Sequence, residues 1–218
     1  MKGSILLPIA LATFSLKVAV CVPVATAQGA LPTATWSQND AIRIENDVQK
    51  QLGRLTTYGV FDWITFGTQG KTVVLKGHAS RPVLKSDAGA AVKSIAGIES
   101  VDNQIEVLPN LPNDDRIRAS VYNRIFTSAS LSKYNANAGR LGRGLSVARM
   151  AGGITNDPPI GYHAIHIIVK SGNVTLYGAV LNAMDVAIAG MQANSAPGVF
   201  SVDNDLIVEG AVAKSAEK

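Results

Sequence analysis

Apolar positions along the chain follow two rhythms, one of helical spacing and one of strand alternation, and the same succession of rhythms occurs twice. Ile44, Val48 and Leu52 stand at i, i+4, i+8, with Ala41 and Leu55 extending the stripe. Ile117, Val121 and Ile125 repeat that spacing, so each trio predicts one amphipathic helix. Asp40 and Asn113 stand ahead of the two stripes as expected N-caps. A hairpin pattern follows each helix. In the first, Val60 to Phe66 is rich in β-formers, Gly67 to Gly70 is the turn and Lys71 to Lys76 returns. In the second, Tyr162 to Val169, the Ser171-Gly172 turn and Asn173 to Tyr177 take those parts. A second helix is expected next, with Leu84, Ala88, Ala91 and Ile95 inward in one copy and Met184, Ile188 and Met191 inward in the other, a one-residue slip apart. Gly97 and Gly198 end these helices, and short strands close each copy at Gln104 to Val107 and Asp205 to Val208. The fold class read from this is α/β (α+β). It consists of two tandem α-β-β-α-β modules, each a three-stranded sheet with two helices on one face.

The rhythm reflects a true sequence repeat. Residues 73–107 align with 174–208 at a constant offset of 101, with 12 identities in 35 positions and a shared Ser-Val-Asp-Asn run. The first helices align at an offset of 73, so the second copy carries 28 additional residues, placed at about 129–161. The boundaries are then 40–109 and 113–209, joined by the short linker 110–112, with a tail at 210–218.

The pattern Val-x-Leu-x-Gly, an Ala-rich helix, Gly-Val/Ile-x-x-Val-x-Asn and a short strand resembles the BON domain. Asn173-Val174-Thr175-Leu176-Tyr177-Gly178 and Pro197-Gly198-Val199 carry the resemblance best. Two copies behind a signal peptide resemble OsmY-like periplasmic proteins. The resemblance implies an envelope protein tied to osmotic or envelope stress, associated with phospholipid surfaces and without catalytic residues. It places Gly77 and Gly178 where strand turns toward helix, and Asn103 and Asn204 at a turn. It implies nothing for the additional segment.

The N-terminus supports export. Residues 1–27 hold a positive start, an apolar run from Ile5 to Leu16 and the small-x-small Ala25-Thr26-Ala27, so a signal peptide cleaved near Ala27–Gln28 and a periplasmic mature chain are expected. Cys21 is the only cysteine and Val20 before it is not small, so a lipid anchor there is not expected. The mature chain then has no thiol for disulfides, catalysis or metal binding. Without Lys2 and Lys17 the charge is 18 basic against 16 acidic residues, far from the strong basicity of a nucleic-acid binder.

Candidate chemistry is sparse. His163 and His166, three apart in a strand-like run, are expected on opposite faces, so no shared metal site is read. Asp203-Asn204-Asp205 runs straight into Leu206-Ile207-Val208 and lacks the further ligands of a calcium loop. Gly139 to Gly144 matches no phosphate loop, and no nucleophile elbow is present. Trp36 is expected to staple the start of the first helix. No cofactor, metal or enzymatic role is expected.

Charge is uneven. Residues 36–112 hold eight basic and eight acidic side chains, whereas residues 113–173 hold eight basic against three acidic. Arg116, Arg118, Arg124, Lys133, Arg140, Arg143 and Arg149 are therefore the candidate contacts for an anionic phospholipid membrane surface. Leu141, Leu145, Val147 and Met150 offer apolar side chains among the last three. The competing expectation is an envelope module that binds proteins, or forms oligomers, without lipid.

Overall fold

The computed structural model describes residues 36–135 and 163–209. Residues 1–35, which include the expected signal peptide, and residues 136–162 and 210–218 lie outside the described residues.

The first module runs α1 (Gln38–Gly53), β1 (Trp63–Gln69), β2 (Thr72–Ala79), α2 (Pro82–Lys93), β3 (Ser100–Asn103) and β4 (Glu106–Val107). The second runs α3 (Pro112–Thr127), a 3-10 turn (Ser132–Tyr134), β5 (Ile165–Lys170), β6 (Asn173–Val180), α4 (Ala183–Asn194) and β7 (Ser201–Val208). The fold is α+β with two mixed sheets. In each, a hairpin pairs antiparallel and the crossover helix returns the last strand parallel to the middle one. The pairings repeat at the sequence offset, Leu75 opposite Asn103 and Leu176 opposite Asn204.

Helix starts differ from expectation. Ser37, not Asp40, caps α1, its hydroxyl accepting from the Asp40 amide. Leu111 precedes α3, and Pro112 takes the first helical position, where its missing N–H is harmless. Trp36 packs against the first core while its indole donates to Gly97 O at 2.8 Å, so it ties the start of α1 to the end of α2. The last strands begin earlier than their apolar pattern indicated, because Ser-Val-Asp-Asn is itself strand.

Asn103 and Asn204 are therefore not turn residues. Each lies in the sheet and reaches across to the crossover helix, donating to Lys85 O and Val186 O, both at 2.8 Å. Gly89 and Gly190 make room, since a Cβ at either would lie 2.8 Å from the asparagine Nδ2. Gly77 and Gly178 lie inside β2 and β6, two residues before the strands end, with φ of 116° and 126°. A Cβ there would meet the carbonyl oxygen of Trp63 or Ala164 at 2.0 Å, so glycine is required on conformational and steric grounds.

Two apolar clusters form. One gathers Ile44, Val48, Val73, Leu75, Leu84, Ala88, Val92 and Ile105. The other gathers Ile117, Val121, Ile125, Ile165, Ile167, Val174, Leu176 and Ala189. The linker is not the only link between the modules, because Val60 and Phe61 cross from the first to the second. These residues precede β1 in the first module, yet they are fully buried in the second cluster. Val60 O accepts from the Ile167 amide at 2.8 Å, so the segment pairs with the open edge of β5. Buried Asp62 fixes the segment's other end, accepting from the Gly59 and Ser80 amides at 2.9 and 2.6 Å. Further contacts join the modules: Trp63 stacks on Tyr177 with rings 5.4 Å apart, and Lys170 meets Glu106 at 2.6 Å.

Candidate functional site

Helix α4 faces the sheet differently from its sequence pattern. Asp185, Ala189 and Ala193 are buried, while Met184 and Met191 are 72% and 62% exposed. The rotation of the helix is fixed by Asp185, which Tyr134 and Lys133 hold, and by Gly190, which lies against Asn204. With Asp185 facing in, Ala189 and Ala193 follow it on the buried stripe and the two methionines are turned out. In α2 the matching inward residues are Leu84, Ala88 and Val92, each 101 positions earlier, so no one-residue slip is needed. Ala91 is only half-buried.

The outer face of α4 is apolar. Met184, Ala187 and Met191 are exposed, Ile188 is half-buried, and Leu181 just before the helix is 58% exposed. The only charged residue of α4, Asp185, points inward. Basic residues stand at both ends. At the N-terminal end Lys133 Nζ lies 2.8 Å from the Asp185 carboxylate, and Tyr134 Oη donates to the same group at 2.5 Å. Lys133, then Tyr134, hold the Asp185 carboxyl below the usual carboxylate range. The Tyr134 hydroxyl also accepts from the Leu181 amide at 2.8 Å. The first described residues of the additional segment thus brace α4, with Leu131 and Tyr134 buried in the second core. At the C-terminal end Arg124 donates to Ser195 Oγ at 3.0 Å.

The seven candidate cations therefore separate. Arg116, Arg124 and Lys133 are exposed. Arg118 is fully buried and cannot meet a headgroup. Its guanidinium donates to Asp115 at 2.7 Å and to Val169 O at 2.8 Å, tying α3 to β5. Its neighbour Asp114 accepts from the Ser171 and Gly172 amides at 2.8 and 2.9 Å, fastening the β5–β6 turn. Arg140, Arg143 and Arg149 lie outside the described residues, as do Leu141, Leu145, Val147 and Met150.

The histidine expectation is also corrected. His163 lies before β5 begins at Ile165, so strand alternation does not apply, and both histidines are buried beside one cleft. Burial first, then the charge of His163, lowers the pKa of His166 to about 4. Among the described residues no cluster of three or more His, Cys, Asp or Glu is arranged to hold a metal ion.

Two repeated α+β modules, each a mixed sheet packed with two helices, define a tandem-domain protein. The BON domain model matches residues 64–109 and 150–210, and the chain is a tandem BON-domain protein. The BON domain is a non-catalytic family typical of periplasmic and envelope-associated proteins. No helix among the described residues is long and apolar enough to cross a membrane. No curated protein sequence matches the chain. Similar solved structures include CdsD, a structural protein of the type III secretion system of Chlamydia trachomatis, at 15% identity over 82% of this chain and 98% of that one, with a TM-score of 0.23. Another is the C-terminal domain of CdsD, at 17% identity over 79% and 99%, with a TM-score of 0.25.

Proposed function

We propose that this is an exported, non-enzymatic envelope protein that binds anionic phospholipid surfaces through α4 of its second BON domain, in the service of osmotic or envelope-stress resistance. The observation that carries the reading is the outward apolar face of α4, Leu181, Met184 and Met191, flanked by Arg124 and Lys133. An apolar strip with cations at its ends fits an interface in which side chains enter the acyl boundary and cations stay with the headgroups. Each basic residue near an anionic surface contributes about 1 kcal/mol, an attraction screened by salt. Arg118 takes no part, and Arg116 adds to the field from the exposed side of α3.

Co-sedimentation of the protein with vesicles of phosphatidylglycerol and phosphatidylethanolamine tests this, with phosphatidylcholine vesicles as the neutral control. Binding is expected to anionic vesicles and to fall with salt. Replacing Met184 and Met191 together by Ser should weaken it about tenfold or more, from the lost apolar transfer. Arg116→Ser with Arg124→Ser should flatten the salt dependence. Equal retention of the wild-type chain and the double Met variant, or indifference to both vesicle types, would overturn the reading.

A further inference from the structure

The cleft between the two BON domains is lined by both of them and has no part in the lipid-facing surface. It encloses about 530 Å³, within the range of small-molecule sites. From the first domain come Tyr58, Trp63 and Phe66, and from the second His166, Asp205 and Ile207. The rings are set against one another: Trp63 lies 5.1 Å from His166, and Tyr58 lies 5.4 Å from His166. No lysine or arginine is among the described residues that line it.

Asp205 is the one carboxylate among the described residues that line the cleft. Burial, then the charges of Asp205 and Asp203, raise the pKa of Tyr177, the ring stacked on Trp63, which marks a negative field at that wall. His166 is buried, and its Nδ1 has no hydrogen-bond partner. With its pKa lowered to about 4, His166 is neutral near pH 7 and sets no cation against Asp205. Electron-rich ring faces with a nearby carboxylate attract an ammonium group, and the aromatic and aliphatic walls take the apolar body attached to it. An anion would meet Asp205 with no cation to offset it, and an uncharged hydrocarbon would leave the carboxylate unused.

We infer that the cleft between the two domains is a binding site for a small amphiphilic organic cation, an ammonium group on a short apolar body. The site needs both domains, since the aromatic wall comes largely from one and the carboxylate from the other.

The test uses the full mature chain and three matched probes, hexyltrimethylammonium, 1-hexanol and hexanoate, below any micellar concentration and without vesicles. Affinity is read by calorimetry and location by the two tryptophan indole N–H resonances. The cation is expected to bind about tenfold or more tighter than either analogue, to shift the Trp63 resonance and to leave that of Trp36 in place. Asp205→Asn, a substitution at an exposed position, should lower cation affinity at least about threefold with hexanol unchanged. Equal affinity for the three probes, no binding of the cation, a shift confined to Trp36, or full cation affinity in Asp205→Asn would each overturn the inference. Because no lipid is present, these outcomes are independent of vesicle binding.

Discussion

Helices α2 and α4 hold the same place in the two domains, on the same glycine and beneath the same asparagine bridge, yet they present opposite surfaces. Where α2 carries Lys85, Ser86, Asp87 and Lys93, α4 carries Val186, Ala187, Ile188 and Asn194 at the matching positions. Val83 and Ala90 of α2 become Met184 and Met191. Inward, Ala88 and Ala189 match, Val92 becomes Ala193, and Asp185, bonded to Tyr134 and Lys133, stands where Leu84 does, whereas the outward positions lose the charges of Lys85, Asp87 and Lys93. The contact between helix glycine and strand asparagine is the same in both copies. Of the outward residues of α4, Val186 and Ile188 pack partly against their core, while Met184, Ala187 and Met191 stand exposed. The same asymmetry appears at the last strand, which is continuous in the second domain and broken between Asn103 and Glu106 in the first. The copies are alike in construction and unlike in surface.

The sharpest way to break that equivalence is at Phe61, a first-domain residue by sequence and a second-domain residue by packing. Phe61→Ala should cost about 3–5 kcal/mol, the usual range for a buried phenylalanine. Amide exchange locates the damage: protection should fall at least as far in β5–β7 as in β1–β2. Loss confined to β1–β2 would return Phe61 to its own domain.

The sequence made much of this legible. The repeat, the element order and the inward face of α1 follow from periodicity, since Ile44, Val48 and Leu52 stand where one stripe must be buried. The exchange of Val60 and Phe61 was hidden because a β-rich run looks the same whether it joins its own sheet or the edge of another. The face of α4 was misread because hydrophobicity favours methionine inside, while the buried stripe runs through a carboxylate, Asp185, with Ala189 and Ala193. The signal was present in Gly89 and Gly190, which repeat in both copies within helices where glycine is costly. Arg118 counted as surface charge because charge alone does not reveal a partner 51 residues away at Val169. The cleft could not be foreseen, since it exists only through packing of one domain on the other.

Acid should separate the domains next. Thr65 stands in the first domain where His166 stands in the second. Burial and His163 depress the folded pKa of His166 to about 4, against about 6.5 in an unfolded chain. The unfolded state therefore binds more protons between those values, and stability rises with pH across that window. The contribution is fully present above pH 6.5 and is lost as pH falls toward 4, at about 1.4 kcal/mol per pH unit and roughly 3 kcal/mol in all. Urea unfolding at pH 7, 5.5 and 4.5 should show this slope, with exchange protection lost first in β5 and β6. His166→Gln should flatten it. An unchanged slope in that variant would assign acid sensitivity to other groups.

The smallest effect tests what the copies share. Asn204→Ala removes the 2.8 Å bond to Val186 O, and Asn103→Ala removes its twin to Lys85 O. Each should cost about 1 kcal/mol, and the two costs should agree within a few tenths. The informative step is to combine each with its helix glycine. Glycine to alanine inside a helix ordinarily gains up to about 1 kcal/mol. At Gly190 a new Cβ would lie 2.8 Å from Asn204 Nδ2, so Gly190→Ala alone should gain nothing or lose stability. With Asn204 already alanine the obstruction is gone, and the same substitution should recover the ordinary gain. Gly89 and Asn103 should behave alike, because the geometry at Gly89 is the same. A cycle of urea midpoints for each pair reads this as a coupling of about 1 kcal/mol or more. Coupling in one domain and none in the other would mean that the asparagine bridge holds only one helix to its sheet, and that the copies differ in construction as well as in surface.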